Sequence, residues 1–150
     1  MTDILLTQDS TVAVVTLHRP ARRNAITLGM WRKLGAIFTR LGADRDVRAV
    51  VLTGSGGHFC AGADIGEFGA VRRGAGDVTI YEQAVDGATR ALIALPKPTV
   101  AAITGYCIGG GSGLAIACDF RIAATDARFG IPAAKLGIVY GLLDPRVEWR

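Results

Sequence analysis

The residues best placed to do chemistry lie in two glycine-rich turns, and the chemistry they suit is carried by backbone amides. The first turn runs from the apolar stretch Val50-Val51-Leu52-Thr53-Gly54 into Phe59-Cys60-Ala61-Gly62-Ala63-Asp64-Ile65. Small residues at 61–63 allow a ligand to approach the main chain closely, and a helix starting near Asp64 would present unpaired N–H groups to an anionic oxygen. The second runs from Ile103-Thr104-Gly105-Tyr106-Cys107-Ile108 into Gly109-Gly110-Gly111-Ser112-Gly113, again a strand feeding a turn that opens a helix. Two amides aimed at one oxygen make an oxyanion hole, and losing one such donor costs about 3–4 kcal/mol of transition-state stabilisation.

Other readings of these turns fit less well. Gly54-Ser55-Gly56-Gly57-His58-Phe59 puts Phe59 where the third glycine of a dinucleotide loop belongs. In Gly110-Gly111-Ser112-Gly113-Leu114, Leu114 takes the last place of a nucleophile elbow. Neither turn carries the lysine of a phosphate-binding P-loop. Taken alone, the residues leave open an oxyanion hole, a non-catalytic binding module and a dinucleotide oxidoreductase.

The composition narrows the classes. The 150 residues are half hydrophobic and one fifth charged, enough for one domain with its own core. The net charge of +4 comes from scattered basic residues, with one small group at Arg19, Arg22 and Arg23. That group suits a local phosphate better than a nucleic-acid backbone. Cys60, Cys107 and Cys118 are odd in number and lack CxxC spacing, and His18 and His58 are the only histidines. A disulfide scaffold or a zinc site is therefore not expected, and reduced thiols in a cytoplasmic protein are. The N-terminus lacks a secretory pattern, and no run of 18 apolar residues is long enough to span a membrane.

The elements that must hold the turns read as follows. Ile4–Thr7 and Val12–Leu17 form a hairpin across Gln8-Asp9-Ser10. Thr27 caps a helix reaching about Leu41, with Leu28, Trp31, Leu34, Phe38 and Leu41 on its apolar face. Val47–Thr53 is a buried strand. Residues 66–76 read as a mobile loop. A helix from about Asp77 to Leu95 buries Ile80, Ala84, Val85, Ala88 and Leu92, and Pro96-Lys97-Pro98 stops it. Thr99–Ile103 is a strand, Gly105–Gly113 is a turn feeding a short helix through Cys118, and Phe120–Ala123 is a further strand. The order β-β-α-β-α-β-α-β defines an α/β fold.

At this point the chain resembles the enoyl-CoA hydratase/isomerase (crotonase) family. The matching segments are His18-Arg19-Pro20 with Asn24-Ala25, Val51–Gly54, Phe59–Ile65, Pro96–Ile103, Gly105-Tyr106, Gly109–Gly111, Cys118-Asp119 and Phe129-Gly130, in the family's order and spacing. The resemblance spans about residues 3–141 and implies a ClpP/crotonase-like spiral of repeated ββα units, truncated at its C-terminus. Residues 1–150 would be an incomplete crotonase core lacking the C-terminal helical region. It further implies an acyl-CoA substrate in fatty acid metabolism, with no cofactor beyond the coenzyme A of the substrate and no metal. Partners would be acyl-CoA and, at full length, a homotrimer or a dimer of trimers, without nucleic acid or membrane.

The resemblance assigns the two oxyanion-hole amides to Ala63 and Gly110. It places Arg22, Ala25, Ala61, Ala63, Asp64, Ile65 and Gly110 around the CoA thioester, with Ala61 near the adenine and Arg22 near the phosphates. Asp64 is also suited to capping the helix that follows it. Family hydratases use two glutamates to activate water, and those positions hold Gly113 and Ala133 here. Neither can move a proton. Enoyl-CoA hydratase activity is accordingly expected to be weak or missing. Isomerisation, decarboxylation or thioester hydrolysis, using a group such as Tyr140 or Asp144, is the alternative, beside a non-catalytic CoA-binding fragment. After Gly141 the sequence no longer resembles the family.

Overall fold

A computed structural model describes residues 2–67 and 75–132. The hairpin expected at the N-terminus is present. Strands β1 (Ile4–Asp9) and β2 (Val12–Leu17) pair antiparallel, with Ile4 opposite Leu17 and Asp9 opposite Val12. Alternate residues of β2, namely Ala13, Val15 and Leu17, are buried, as expected for a strand with one face against a core.

Helix α1 (Leu28–Ala43) starts at Thr27, whose hydroxyl accepts the Met30 N–H at 3.2 Å. It buries Trp31, Leu34, Phe38 and Leu41 at helical spacing, along with Met30 and Ile37. The chain returns as β3 (Ala49–Gly54), parallel to β2. Helix α2 (Ala75–Ile93) packs against α1, and Gly35 lets the two helices close up: a β-carbon there would sit 3.5 Å from the Ala88 Cα. Ile80 does not belong to its buried stripe. It is 43% exposed, and the neighbouring Tyr81, buried at 5%, takes its place, while Ala88 and Leu92 are buried and Ala84 and Val85 pack partly buried against the core as expected.

Strand β4 (Thr99–Ile103) lies parallel to β3, and β6 (Phe120–Ala123) parallel to β4, so the main sheet runs β1-β2-β3-β4-β6. In the chain, β5 (Tyr106–Ile108) and helix α3 (Gly110–Ala117) lie between β4 and β6, and β7 (Arg128–Gly130) follows β6. Strands β5 and β7 pair parallel as a separate two-stranded sheet that the sequence pattern does not announce. The segment expected at 105–113 as one turn thus contains a strand. Sheet and helices share one core that includes Cys60, Cys107 and Cys118. Among the described residues, no helix is long and apolar enough to cross a membrane. The expected loop at 66–76 lies largely outside the described residues.

Candidate active site

The first glycine turn is held on both flanks by main-chain hydrogen bonds. On one side Cys60 pairs with Cys107: its N–H donates to Tyr106 O at 2.8 Å and its carbonyl accepts the Ile108 N–H at 2.9 Å. On the other side the turn is bonded to segment 23–26. Ala61 N–H donates to Arg23 O, Ile26 N–H donates to Gly62 O, and Asp64 N–H donates to Ile26 O, at 2.8–2.9 Å.

This arrangement sets the direction of one peptide group. Among the described residues no peptide bond is cis. In a trans peptide the carbonyl and the following N–H point in opposite directions. Gly62 O faces Ile26, so the Ala63 N–H points away from segment 23–26, toward the flank where the second turn lies. Among the described residues it meets no acceptor. Gly62 has φ +102°, a conformation that favours glycine.

The second turn presents its amides in the same way. Gly109 N–H donates to Gly130 O at 2.8 Å, and Gly109 O accepts the Gly113 N–H at 3.0 Å to begin α3. The Gly110 N–H therefore points out of the helix start, and it too has no acceptor among the described residues. The turns touch. A β-carbon on Gly62 would lie 3.9 Å from the Gly110 nitrogen, and one on Gly109 would lie 3.8 Å from the Gly62 Cα. The Ala63 and Gly110 amides thus sit on adjacent turns in van der Waals contact.

Asp64 behaves as a cap. Its Oδ1 accepts the Gly66 N–H at 3.0 Å, and its Oδ2 accepts Arg19 Nη1 at 2.9 Å. Both carboxylate oxygens are therefore occupied within the protein. Arg19 Nη1 also donates to Ala25 O at 2.7 Å. Asn24, fully buried with φ +57°, accepts the Arg19 N–H and donates to Ser55 O and His58 O. Arg19 and Asn24 tie the 19–25 loop to the first turn. The sequence placed Arg19 with Arg22 and Arg23 in a group suited to a phosphate, whereas its guanidinium is engaged by Asp64 and Ala25 O; Asn24 had no expected role beyond the segment that carried the resemblance.

The remaining candidates are partly brought together. Ala25 and Ala61 are half-buried beside the turn, Ile65 is 63% exposed just after it, and Arg22 is exposed at the end of a 3-10 turn over Pro20–Arg22. Arg23 reaches the Tyr106 ring, its guanidinium carbon 5.1 Å from the centroid, and Tyr106 stacks in turn on His58. Burial pushes the thiols up, Cys60 and Cys118 to about 12 and Cys107 to about 11, so all three stay protonated near neutrality. None is a ready nucleophile. Gly113 lies half-buried in α3 and supplies no carboxylate. Ala133, Tyr140 and Asp144 lie outside the described residues.

An α/β protein with amides of two strand-to-helix turns placed side by side is the class that this fold and site define. The comparisons with known proteins name the family. The family profile described as enoyl-CoA hydratase/isomerase matches residues 7–146. A probable enoyl-CoA hydratase of Bacillus subtilis is 38% identical over 141 residues, covering 94% of this chain and 54% of that protein. A short-chain-enoyl-CoA hydratase of Clostridium acetobutylicum is 37% identical over 142 residues, again covering 94% and 54%. The crystal structure of an enoyl-CoA hydratase/carnithine racemase from Magnetospirillum magneticum superimposes with a TM-score of 0.89 at 41% identity, over 94% of this chain and 53% of that one. A structure from Hyphomonas neptunium, of the enoyl-CoA hydratase/isomerase family, gives 0.92 at 36% identity, over 97% and 56%. The chain belongs to the enoyl-CoA hydratase/isomerase family and has its crotonase fold. It spans about half the length of the relatives it matches.

Proposed function

We propose that this chain forms the part of an acyl-CoA enzyme that binds the thioester carbonyl, with the Ala63 and Gly110 N–H groups donating to the same oxygen. The observation that carries the reading is the pair of adjacent turns whose amides meet no acceptor among the described residues. Such donors stabilise the enolate or tetrahedral oxyanion that forms when charge moves onto a thioester oxygen. Around them, Ala25, Ala61 and Ile65 border the ligand, and Arg22 lies toward its phosphates. Asp64 acts by holding the turn. The whole protein is proposed to act on acyl-CoA in fatty acid metabolism as a homotrimer or a dimer of trimers. A reducing, cytoplasmic setting is supported by three free buried thiols.

The test uses a chromophoric enoyl thioester of CoA, whose absorption moves to the red when its carbonyl is polarised. Binding with a red shift is expected. Binding without one, or heat of binding with NAD and none with any CoA ester, overturns the reading.

A second reading concerns the reaction, and Gly113 favours it. With no carboxylate at that position, water activation for hydration lacks one of its groups, and Ala133 removes the other. Isomerisation, decarboxylation or thioester hydrolysis uses the same hole without that pair. Crotonyl-CoA hydration, followed by loss of absorbance, is expected to be weak. A turnover of about 10 per second or more, ordinary for an enzyme, refutes the argument from the two positions.

A further inference from the structure

We infer that Trp31, held by Tyr81, is a positioning residue that sets where the Gly110 amide points. The inference rests on the reading of Gly110 as a donor to the thioester oxygen.

Trp31 lies on α1 and is 2% exposed, and Tyr81 lies on α2 and is 5% exposed. Trp31 Nε1–H donates to Tyr81 Oη at 2.9 Å, a side-chain hydrogen bond inside the core. A buried donor of this kind is costly to strand, so the bond fixes the plane of the indole. The far edge of that indole lies under the start of α3. A β-carbon on Gly110 would come within 2.9 Å of Trp31 Cζ2 and 3.5 Å of Cη2. Gly110 is thus glycine because the ring occupies the space a side chain would need, and the ring in turn stops the Gly110 Cα from moving toward α1.

The other flank is closed as well. A β-carbon on Gly111 would come within 2.7 Å of Cys60 Cβ, so the first turn of α3 is packed between the indole and Cys60. Ser112 Oγ donates to Cys107 O at 2.7 Å, which fixes the turn along its axis. Of these supports, only the indole rests directly behind Gly110, and the orientation of the indole depends on a residue of another helix, 50 positions away. A hydrogen bond to an oxyanion weakens steeply once it bends or lengthens, so a small movement of the indole reaches the chemistry through Gly110. The same pair links α2, the helix that follows residues 68–74, to the amide that receives the ligand oxygen.

The experiment uses the whole chain with Tyr81→Phe, Trp31→Phe and the double variant. Three quantities are read for each: the red shift of the chromophoric enoyl thioester, its Kd, and the thermal midpoint. Tyr81→Phe strands the indole N–H and is expected to melt earlier. The double variant removes both polar atoms and is expected to recover part of that loss. It is the variant to rely on if Tyr81→Phe does not fold. A positioning role predicts a smaller red shift in every variant that folds, at a Kd within about threefold of the parent, because most ligand contacts lie elsewhere. Full red shifts in the folded variants, whatever their melting points, overturn the inference and leave the parent reading intact. A parent chain that binds the thioester without any red shift fails the proposed function itself, and the inference falls with it.

Discussion

Asp64 is the residue through which the stability of the first turn can be separated into parts. Its side chain does two jobs. Oδ1 caps the helical turn by accepting the Gly66 N–H, and Oδ2 accepts a charge-assisted bond from Arg19. The ion pair is sheltered, with the Arg19 and Asp64 side chains 20% and 13% exposed. Replacing a good N-cap by alanine costs about 1 kcal/mol. Breaking a hydrogen bond to a charged group costs about 1.5–3 kcal/mol. The lower end applies here, because Arg19 keeps its bond to Ala25 O and has Asp3 within 4.0 Å. Asp64→Ala should therefore destabilise by about 2.5 kcal/mol. Asp64→Asn has a single side-chain oxygen for the two donors; with that oxygen on the Gly66 N–H the cap survives but an NH2 group faces Arg19, so the charged bond is lost and the cost should be about 1.5 kcal/mol.

Urea unfolding of the two variants beside the parent measures both numbers. For a chain of this size each kcal/mol lowers the melting midpoint by about 2–4 °C. Asp64→Ala should then fall by about 5–10 °C and Asp64→Asn by about 3–6 °C. Added salt should narrow the gap between parent and Asp64→Asn, because screening weakens the charge it removes. The consequence at the site can be checked on the same samples. The Asp64 N–H is one of the bonds to Ile26 that orient the Gly62–Ala63 peptide, so the red shift of a bound thioester should drop more in Asp64→Ala than in Asp64→Asn. Equal losses in the two variants would show that the cap contributes nothing. Losses below about 0.5 kcal/mol in both, the range of ordinary surface changes, would refute the account of Asp64 altogether.

Gly62→Ala introduces a β-carbon at φ +102° and 3.2 Å from Ile108 O. It should cost about 1–3 kcal/mol in stability and abolish most of the thioester red shift; an unchanged shift would detach the Ala63 amide from the site. The three thiols make stability fall at high pH. Their folded pKa values of about 11–12 exceed the ordinary 9.0, so between these pH values the unfolded chain binds fewer protons than the folded one. Stability should be fully present below pH 9 and decline as the pH rises toward 11–12, by up to about 1.4 kcal/mol per pH unit for each thiol; Cys118→Ala should flatten the decline, and an unaltered slope would contradict it. Phe120, Ile122, Phe129 and Ile131 are 50–67% exposed along β6 and around β7. The 150-residue chain should therefore self-associate in sedimentation, and Ile122→Lys should reduce the association; a monomeric parent would show that these residues do not drive it.

The main elements are legible in the sequence wherever burial imposes a period. Alternating burial on β2 and the three- and four-residue steps of α1 follow from one face meeting the core, and the structure has both. The apolar face of α1 is covered within the described residues, Trp31, Leu34, Phe38 and Leu41 all being buried. That Tyr81 rather than Ile80 joins the buried stripe of α2 has a polar cause. Ile80 and Tyr81 are both apolar enough for the stripe, and the Trp31 N–H supplies a partner that only tyrosine can use. Hydropathy alone does not register that preference.

The turns show a different limit. Three-residue strands such as β5 and β7 are too short to carry a period, and they exist because Cys60 pairs with Cys107 and Gly109 with Gly130. Arg19 and Asp64 are 45 residues apart, so nothing in their local sequence joins them. What could be read was the residue type that close approach demands. Glycine at 62, at 110 and at 111 marks places where a side chain would strike Ile108 O, the Trp31 ring or Cys60. The composition of the site thus records contacts whose partners only the fold supplies. A glycine is kept in each turn because its neighbour is another turn or a helix from elsewhere in the chain. For that reason the direction of the two amides depends on residues as distant as Ile26 and Tyr81.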